Sequence, residues 1–177
     1  MAGDKQDRVR AIAKQRLVLN GVEQDLLPED WVLNLNIAKG TLTADEHDKI
    51  KEHISVTIDM LEKLPFPKHL KRVPEFAGGH HETMTGSGYP KGLTKADMSV
   101  QARIMGIADI FEALTASDRP YKKGKTLSEA MRIMGFFKAD QDIDPDLFDI
   151  FVKEGVFQDY ADEYLDAKYI DEVDVQK

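Results

Sequence analysis

Apolar residues recur along this chain at intervals of three and four, and no stretch alternates convincingly, so the pattern predicts helices punctuated by glycine and proline. Over residues 4–18, Val9, Ile12 and Leu17 or Val18 give loose helical spacing among many charges. From Asn20 to Asp30 the pattern lapses into Asn-Gly and Leu-Pro, which reads as a loop or short hairpin. Trp31, Val32, Leu35 and Ile37 then suggest a short helix or turn closed by Gly40. Thr43 and Glu46 form a capping box that starts a helix running to about Leu64, with Ile50, Ile54, Ile58, Leu61 and Leu64 as its buried stripe and Pro65 and Pro67 as its stop. A short helix follows over 69–79, with Val73 and Phe76 inward.

Ser99 caps a longer helix reaching about Ser117. Val100, Ile104, Ile107, Phe111 and Leu114 line one of its faces and Ala102, Met105, Gly106, Ala113 and Ala116 the other, which predicts burial on both sides. Thr126 or Ser128 caps the next helix, with Leu127, Ala130, Ile133 and Met134 inward. Asp144-Pro145 opens another, with Leu147, Ile150, Phe151 and Val156 apolar, and residues 157–165 add a last turn or two. The sum is an all-α bundle of roughly six or seven helices.

Composition narrows the class. The chain has no cysteine, which excludes thiolate metal sites and cysteine nucleophiles and fits a reducing, cytoplasmic setting. No apolar run approaches the roughly 18 residues of a membrane span, and the Met1-Ala2-Gly3-Asp4 start has no signal-peptide core. A net charge of −8 argues against DNA or an anionic membrane as partner. Much of that acidity lies after Gln158, where it predicts a solvated helix and a frayed end.

The densest chemistry lies between Gly78 and Leu93, GGHHETMTGSGYPKGL. His80 and His81 are neighbours, and on a helix their rings would diverge by roughly 100°. Gly86, Gly88 and Pro90 end any helix there, so either a turn folds both rings onto one centre or each ring serves its own ion. Two surface histidines at a helix terminus are the plain alternative. His53 falls at the border of the stripe on the helix from Thr43, where it reaches a polar centre or settles on a backbone carbonyl. His47 and Asp48 read as a first-turn surface pair and His69 as exposed. Asp109 falls in the small-residue face of the helix from Ser99, where a second backbone or a ligand can come close. A carboxylate buried there needs a metal or an arginine such as Arg103 or Arg119. The cluster from Asp118 to Lys123, with Lys125 beyond it, suits a phosphate.

Together His53, His80, His81 and Asp109 form an imidazole and carboxylate set that suits manganese, iron, zinc or nickel and is too nitrogen-rich for calcium. A pair of such ions can activate water and stabilise the entering and leaving oxygens of a phosphoryl displacement.

From about Gly40 to Gly155 the chain resembles the HD-GYP branch of the HD superfamily of metal-dependent phosphohydrolases. The family pattern HHExxDGxGYPxGL is met by His80, His81, Glu82, Gly86, Gly88, Tyr89, Pro90, Gly92 and Leu93. Ala102-Arg103, Ile107 to Phe111, Ala113 to Thr115 and Arg119 to Lys122 follow in order. The resemblance implies an HD-type helical bundle, with residues 1–39 an N-terminal helix and connector, 40–156 the core and 157–177 an acidic helix and tail. It implies a cyclic di-GMP phosphodiesterase in bacterial signalling, with His53, His80, His81 and Asp109 on metal ligands, manganese or iron before zinc or nickel. Gly88, Tyr89 and Pro90 fall on the turn beside the site, and Arg119 and Lys122 near the substrate phosphates.

Two departures stand out. Thr85 replaces the family's aspartate, which alters the rigidity of the turn, and no histidine precedes His47, so the name-giving His-Asp dyad is missing. Its aspartate bridges two ions in the family, so the catalytic residues are unassigned and incomplete metal occupancy is expected. The expectation is the C-terminal portion of a longer protein, inactive or weak alone, acting on cyclic di-GMP or a related cyclic dinucleotide. The alternative is a non-catalytic module that contacts a diguanylate cyclase or another signalling protein through the GYP turn and the surface around it; a homodimer is a further expectation.

Overall fold

The computed structural model describes residues 3–38, 40, 42–116 and 124–174. The chain divides into two compact units, residues 1–53 and 54–177. The first unit opens with α1 (Gly3–Ala13), followed by strands β1 (Arg16–Leu19) and β2 (Val22–Asp25) and helix α2 (Glu29–Leu35). The helix expected over 4–18 therefore stops at Ala13, and Leu17 and Val18 belong to a strand. Asn20 and Gly21 supply the reason: both take positive φ, 53° and 80°, the conformation of a tight two-residue hairpin turn, and Arg16 pairs with Asp25 across it. Gln6 Nε2 donates to the Asn36 carbonyl at 2.6 Å, tying α1 to the end of α2.

Helix α3 spans Ala44–Glu62. Its capping box forms as expected, the Thr43 N–H donating to Glu46 at 2.8 Å and the Glu46 N–H to the Thr43 hydroxyl at 3.3 Å. The buried stripe is narrower than its apolar spacing suggests. Ile54 and Ile58 are buried, whereas Ile50 and Leu64 are about half exposed.

The second unit continues with a 3-10 turn (Lys68–Leu70), α4 (Val73–Gly78), α5 (Val100–Thr115), α6 (Leu127–Ala139), α7 (Pro145–Lys153) and α8 (Val156–Tyr164). The short helix expected over 69–79 is confined to α4, because Pro74 sits in its first turn and the preceding residues close a separate 3-10 turn. Ser99 accepts from the Ala102 N–H and caps α5, Thr126 rather than Ser128 forms the capping box of α6 with Glu129, and Asp144 caps α7. Gly155 in the left-handed region separates α7 from α8, turning the expected last turn or two into a full helix. The described residues thus hold eight α-helices and one hairpin, an all-α architecture.

The core of this unit lies among α5 to α8, where Ile107, Phe111, Leu127, Met134, Phe148 and Phe157 pack together. Helix α5 is buried on one side only, which corrects the expectation for it. Ala102, Gly106, Ile107, Phe111 and Thr115 are buried, while Val100, Ile104, Met105 and Asp109 are exposed. The acidic end is not frayed over its described part. Ile170 and Val173 pack against the core, and Asp171 takes hydrogen bonds from the Ser128 N–H at 2.8 Å and hydroxyl at 2.6 Å. No described helix is long and apolar enough to cross a membrane.

Candidate metal centre

Helix α4 ends at Gly78, and a turn closed by the Glu82 N–H on the Gly79 carbonyl at 3.1 Å carries His80 and His81. Small residues let this segment lie on α5: a Cβ at Gly79 would meet the Ala102 methyl at 2.9 Å, and one at Gly106 the His80 carbonyl at 3.1 Å. The small-residue face of α5 therefore receives a second backbone. Leaving the helix lets the two neighbouring rings converge, with centroids 4.3 Å apart.

The His80 Nδ1 donates to the Ala77 carbonyl at 2.6 Å, which fixes the tautomer and leaves Nε2 as the ligand atom. His53, on α3, makes the same kind of bond, its Nδ1 donating to the Ile50 carbonyl. One nitrogen from each of His53, His80 and His81 lies within 4.8 Å of the others. Metal bonds of about 2.1 Å place tetrahedral ligands about 3.4 Å apart, so small side-chain rotations suffice for all three to share one ion. Three imidazoles, two of them anchored through Nδ1 to carbonyls, fit a borderline transition metal.

Asp109 is not in that group of three. It is exposed on α5, three residues and so about one turn beyond Gly106 on the same face. Its charge reaches Tyr89, whose phenol is pushed above its usual range by burial first and by Asp109 second. Tyr89 in turn stacks on His81 at 4.8 Å and 19°, and its N–H donates to the His81 carbonyl at 3.2 Å. Gly88 permits this return of the chain, and the cis Tyr89-Pro90 bond follows it. Arg119 and Lys122 lie outside the described residues.

Glu82 has a part that the sequence alone shows only as a motif match. The residue is 5% exposed, and its carboxylate accepts the Lys91 N–H at 2.7 Å and the Leu93 N–H at 2.9 Å, closing the GYP turn from inside. The signal that points to it is a glycine-broken turn full of backbone donors next to an acid with no lysine or arginine within eight residues. At the departure from the family pattern, the Thr85 hydroxyl bonds those of Thr83 at 3.1 Å and Ser87 at 3.0 Å, so hydroxyls tie the turn together there.

A model of the HD domain family matches residues 26–147, most of the chain, and the chain belongs to that family. Among individual proteins, it is 44% identical over 81 residues to 3'3'-cGAMP-specific phosphodiesterase 1 of Vibrio cholerae, covering 46% of this chain and 19% of that protein. It is 39% identical over 93 residues to a cyclic di-GMP phosphodiesterase of Thermotoga maritima, covering 52% and 25%. A probable cyclic di-GMP phosphodiesterase of Vibrio cholerae is 33% identical over 141 residues, covering 76% and 32%. The chain thus spans between a fifth and a third of the length of these relatives.

Proposed function

We propose that this chain carries the metal-bearing part of a cyclic dinucleotide phosphodiesterase of the HD-GYP type. His53, His80, His81 and Asp109 are the donors to a divalent transition metal, manganese or iron before zinc or nickel. The observation that carries the reading is the approach of three imidazole nitrogens to within 4.8 Å. The named activities of the three relatives support the substrate class.

When bound, such an ion supplies Lewis acidity toward a phosphate oxygen. The chain's own residues set the surroundings. His53 and His80 hold their Nδ1 protons on backbone carbonyls and so present Nε2. Tyr89 covers one face of His81 and restricts its rotation. Arg119 and Lys122 neutralise the phosphate oxygens that do not react. The His47-Asp48 pair reads as a surface pair and the sequence offers no other His-Asp dyad to bridge a second ion, so one ion and weak turnover are expected.

The test is metal analysis of protein purified without chelator, followed by assay of cyclic di-GMP cleavage with manganese or iron. The expected result is up to one ion per chain, lost when His80, His81 and Asp109 are all changed to alanine. Equal metal content in that triple variant would overturn the site.

A further inference from the structure

A cavity of about 180 Å³ opens beside the paired histidines, lined by His80, His81, Arg103, Phe137 and Asp142 among others. Pockets for drug-sized ligands run from about 300 to 1,000 Å³, so this one suits a single planar ring system rather than a whole dinucleotide. Besides the histidines, its lining has an aromatic surface from Phe137 and charged side chains of both signs, Arg103 against Glu82 and Asp142, of which Glu82 is already taken up by the Lys91 and Leu93 N–H groups.

Asp142 is the unusual member. It is half-buried, and among the described residues no cation pairs with its carboxylate. Burial first, and Asp140 second, hold that carboxyl above its usual range. The backbone around it is fixed on both sides: the Asp142 N–H donates to the Phe137 carbonyl at 2.9 Å, and the Met84 N–H donates to the Gln141 carbonyl at 2.9 Å. Gln141 itself takes φ 59°, a left-handed conformation that is strained for a non-glycine residue. A strained residue thus ties the segment bearing Asp142 to the turn bearing the histidines. Arg103 directs Nε to the Ser99 carbonyl at 3.4 Å and Nη1 to Asp144, which leaves the Nη2 hydrogens for a ligand.

We propose that this cavity holds a guanine base, with the Asp142 carboxylate accepting its N1–H and N2–H and Arg103 donating to its O6. Guanine presents an acceptor and two donors along one edge, matched by a guanidinium and a carboxylate. Adenine presents an N1 lone pair where the carboxylate needs a donor, so the same two residues reject it. The assignment of the base to a cyclic dinucleotide rests on the phosphodiesterase reading. Guanine is common to both kinds of substrate named for the relatives, cyclic di-GMP and 3'3'-cGAMP.

Calorimetric titration of the full chain with GMP and with AMP tests this without any need for metal. The expected result is a preference for GMP of about tenfold or more, the scale of one bidentate hydrogen-bonded pair. Asp142→Asn keeps the shape but turns an N–H toward the guanine donors, and it should erase that preference. Equal affinities in the wild type, or an unchanged preference in D142N, would overturn the assignment. Should D142N fail to fold, amide shifts on adding GMP to wild type decide instead: movement at Phe137 and Asp142 supports the site, and movement confined elsewhere overturns it. Metal content of the same samples separates the two readings. Metal-loaded protein with no base preference sinks only this inference, and metal-free protein that prefers GMP sinks only the phosphodiesterase.

Discussion

Gly88 shows how little room the turn between His81 and Leu93 has. A Cβ there would lie 2.5 Å from Glu82 Cα and 2.6 Å from both the His81 carbonyl oxygen and the Thr83 nitrogen, all of them backbone atoms that cannot rotate aside. Gly88→Ala must open the turn, separating Tyr89 from His81, and should cost about 2–3 kcal/mol, the upper range of overpacking. Gly135 is the control. It lies inside α6, and a methyl group added there would meet nothing within 4 Å, so Gly135→Ala should gain about 0.5–1 kcal/mol from helix propensity alone. Urea denaturation of the two variants should therefore give shifts of opposite sign. A loss at both positions would show that backbone crowding at 88 is not the distinguishing cause.

Between α4 and α5 no helix or strand holds residues 79–98, and the segment is organised instead by the inward carboxylate of Glu82. Glu82→Gln keeps the shape and one acceptor, but its amide turns donors toward the Lys91 and Leu93 N–H groups. Amide exchange should speed by about tenfold or more at those two positions, the consequence of losing one buried hydrogen bond, while exchange in α6 is unchanged. Uniform acceleration would point to global destabilisation instead. What the sequence made legible in these elements was local. The caps at Thr43, Ser99, Thr126 and Asp144 depend on partners two or three residues away, and all four form. Convergence of His80 with His81 required knowing that α4 stops at Gly78, and spacing alone left one centre or two open. The exposure of Val100, Ile104 and Ile150 was not legible, because helical spacing marks an apolar face without saying whether anything covers it. Nor was the docking of Asp171 onto Ser128, 43 residues away in the chain.

Across the whole second unit, one buried acid joins three elements that are distant in sequence. Asp144 is fully buried; it caps α7, pairs with Arg103 of α5, and accepts from Lys95 at 3.1 Å just beyond the GYP turn. Burial alone would raise its carboxyl pKa, but the hydrogen bonds from Lys95, Arg103 and the N–H groups of Asp146 and Leu147 outweigh it and hold the group below its usual range. A carboxyl depressed on folding stabilises the protein fully above its unfolded value of about 3.9, and that stabilisation disappears as pH falls through the lower folded value. Asp144→Asn retains an oxygen for the cap and removes only the charge. At neutral pH it should cost about 3 kcal/mol, the low end for breaking a buried pair because Lys95 reaches solvent, or roughly 6–12 °C in Tm. The gap between wild type and variant should then narrow as pH is lowered below about 4, since protonated Asp144 and the amide are alike in charge. Thermal unfolding of both proteins between neutral pH and the acid limit of reversibility measures it. A gap that stays constant down to that limit would mean that packing around Asp144, rather than its charge, ties the GYP turn to α5 and α7.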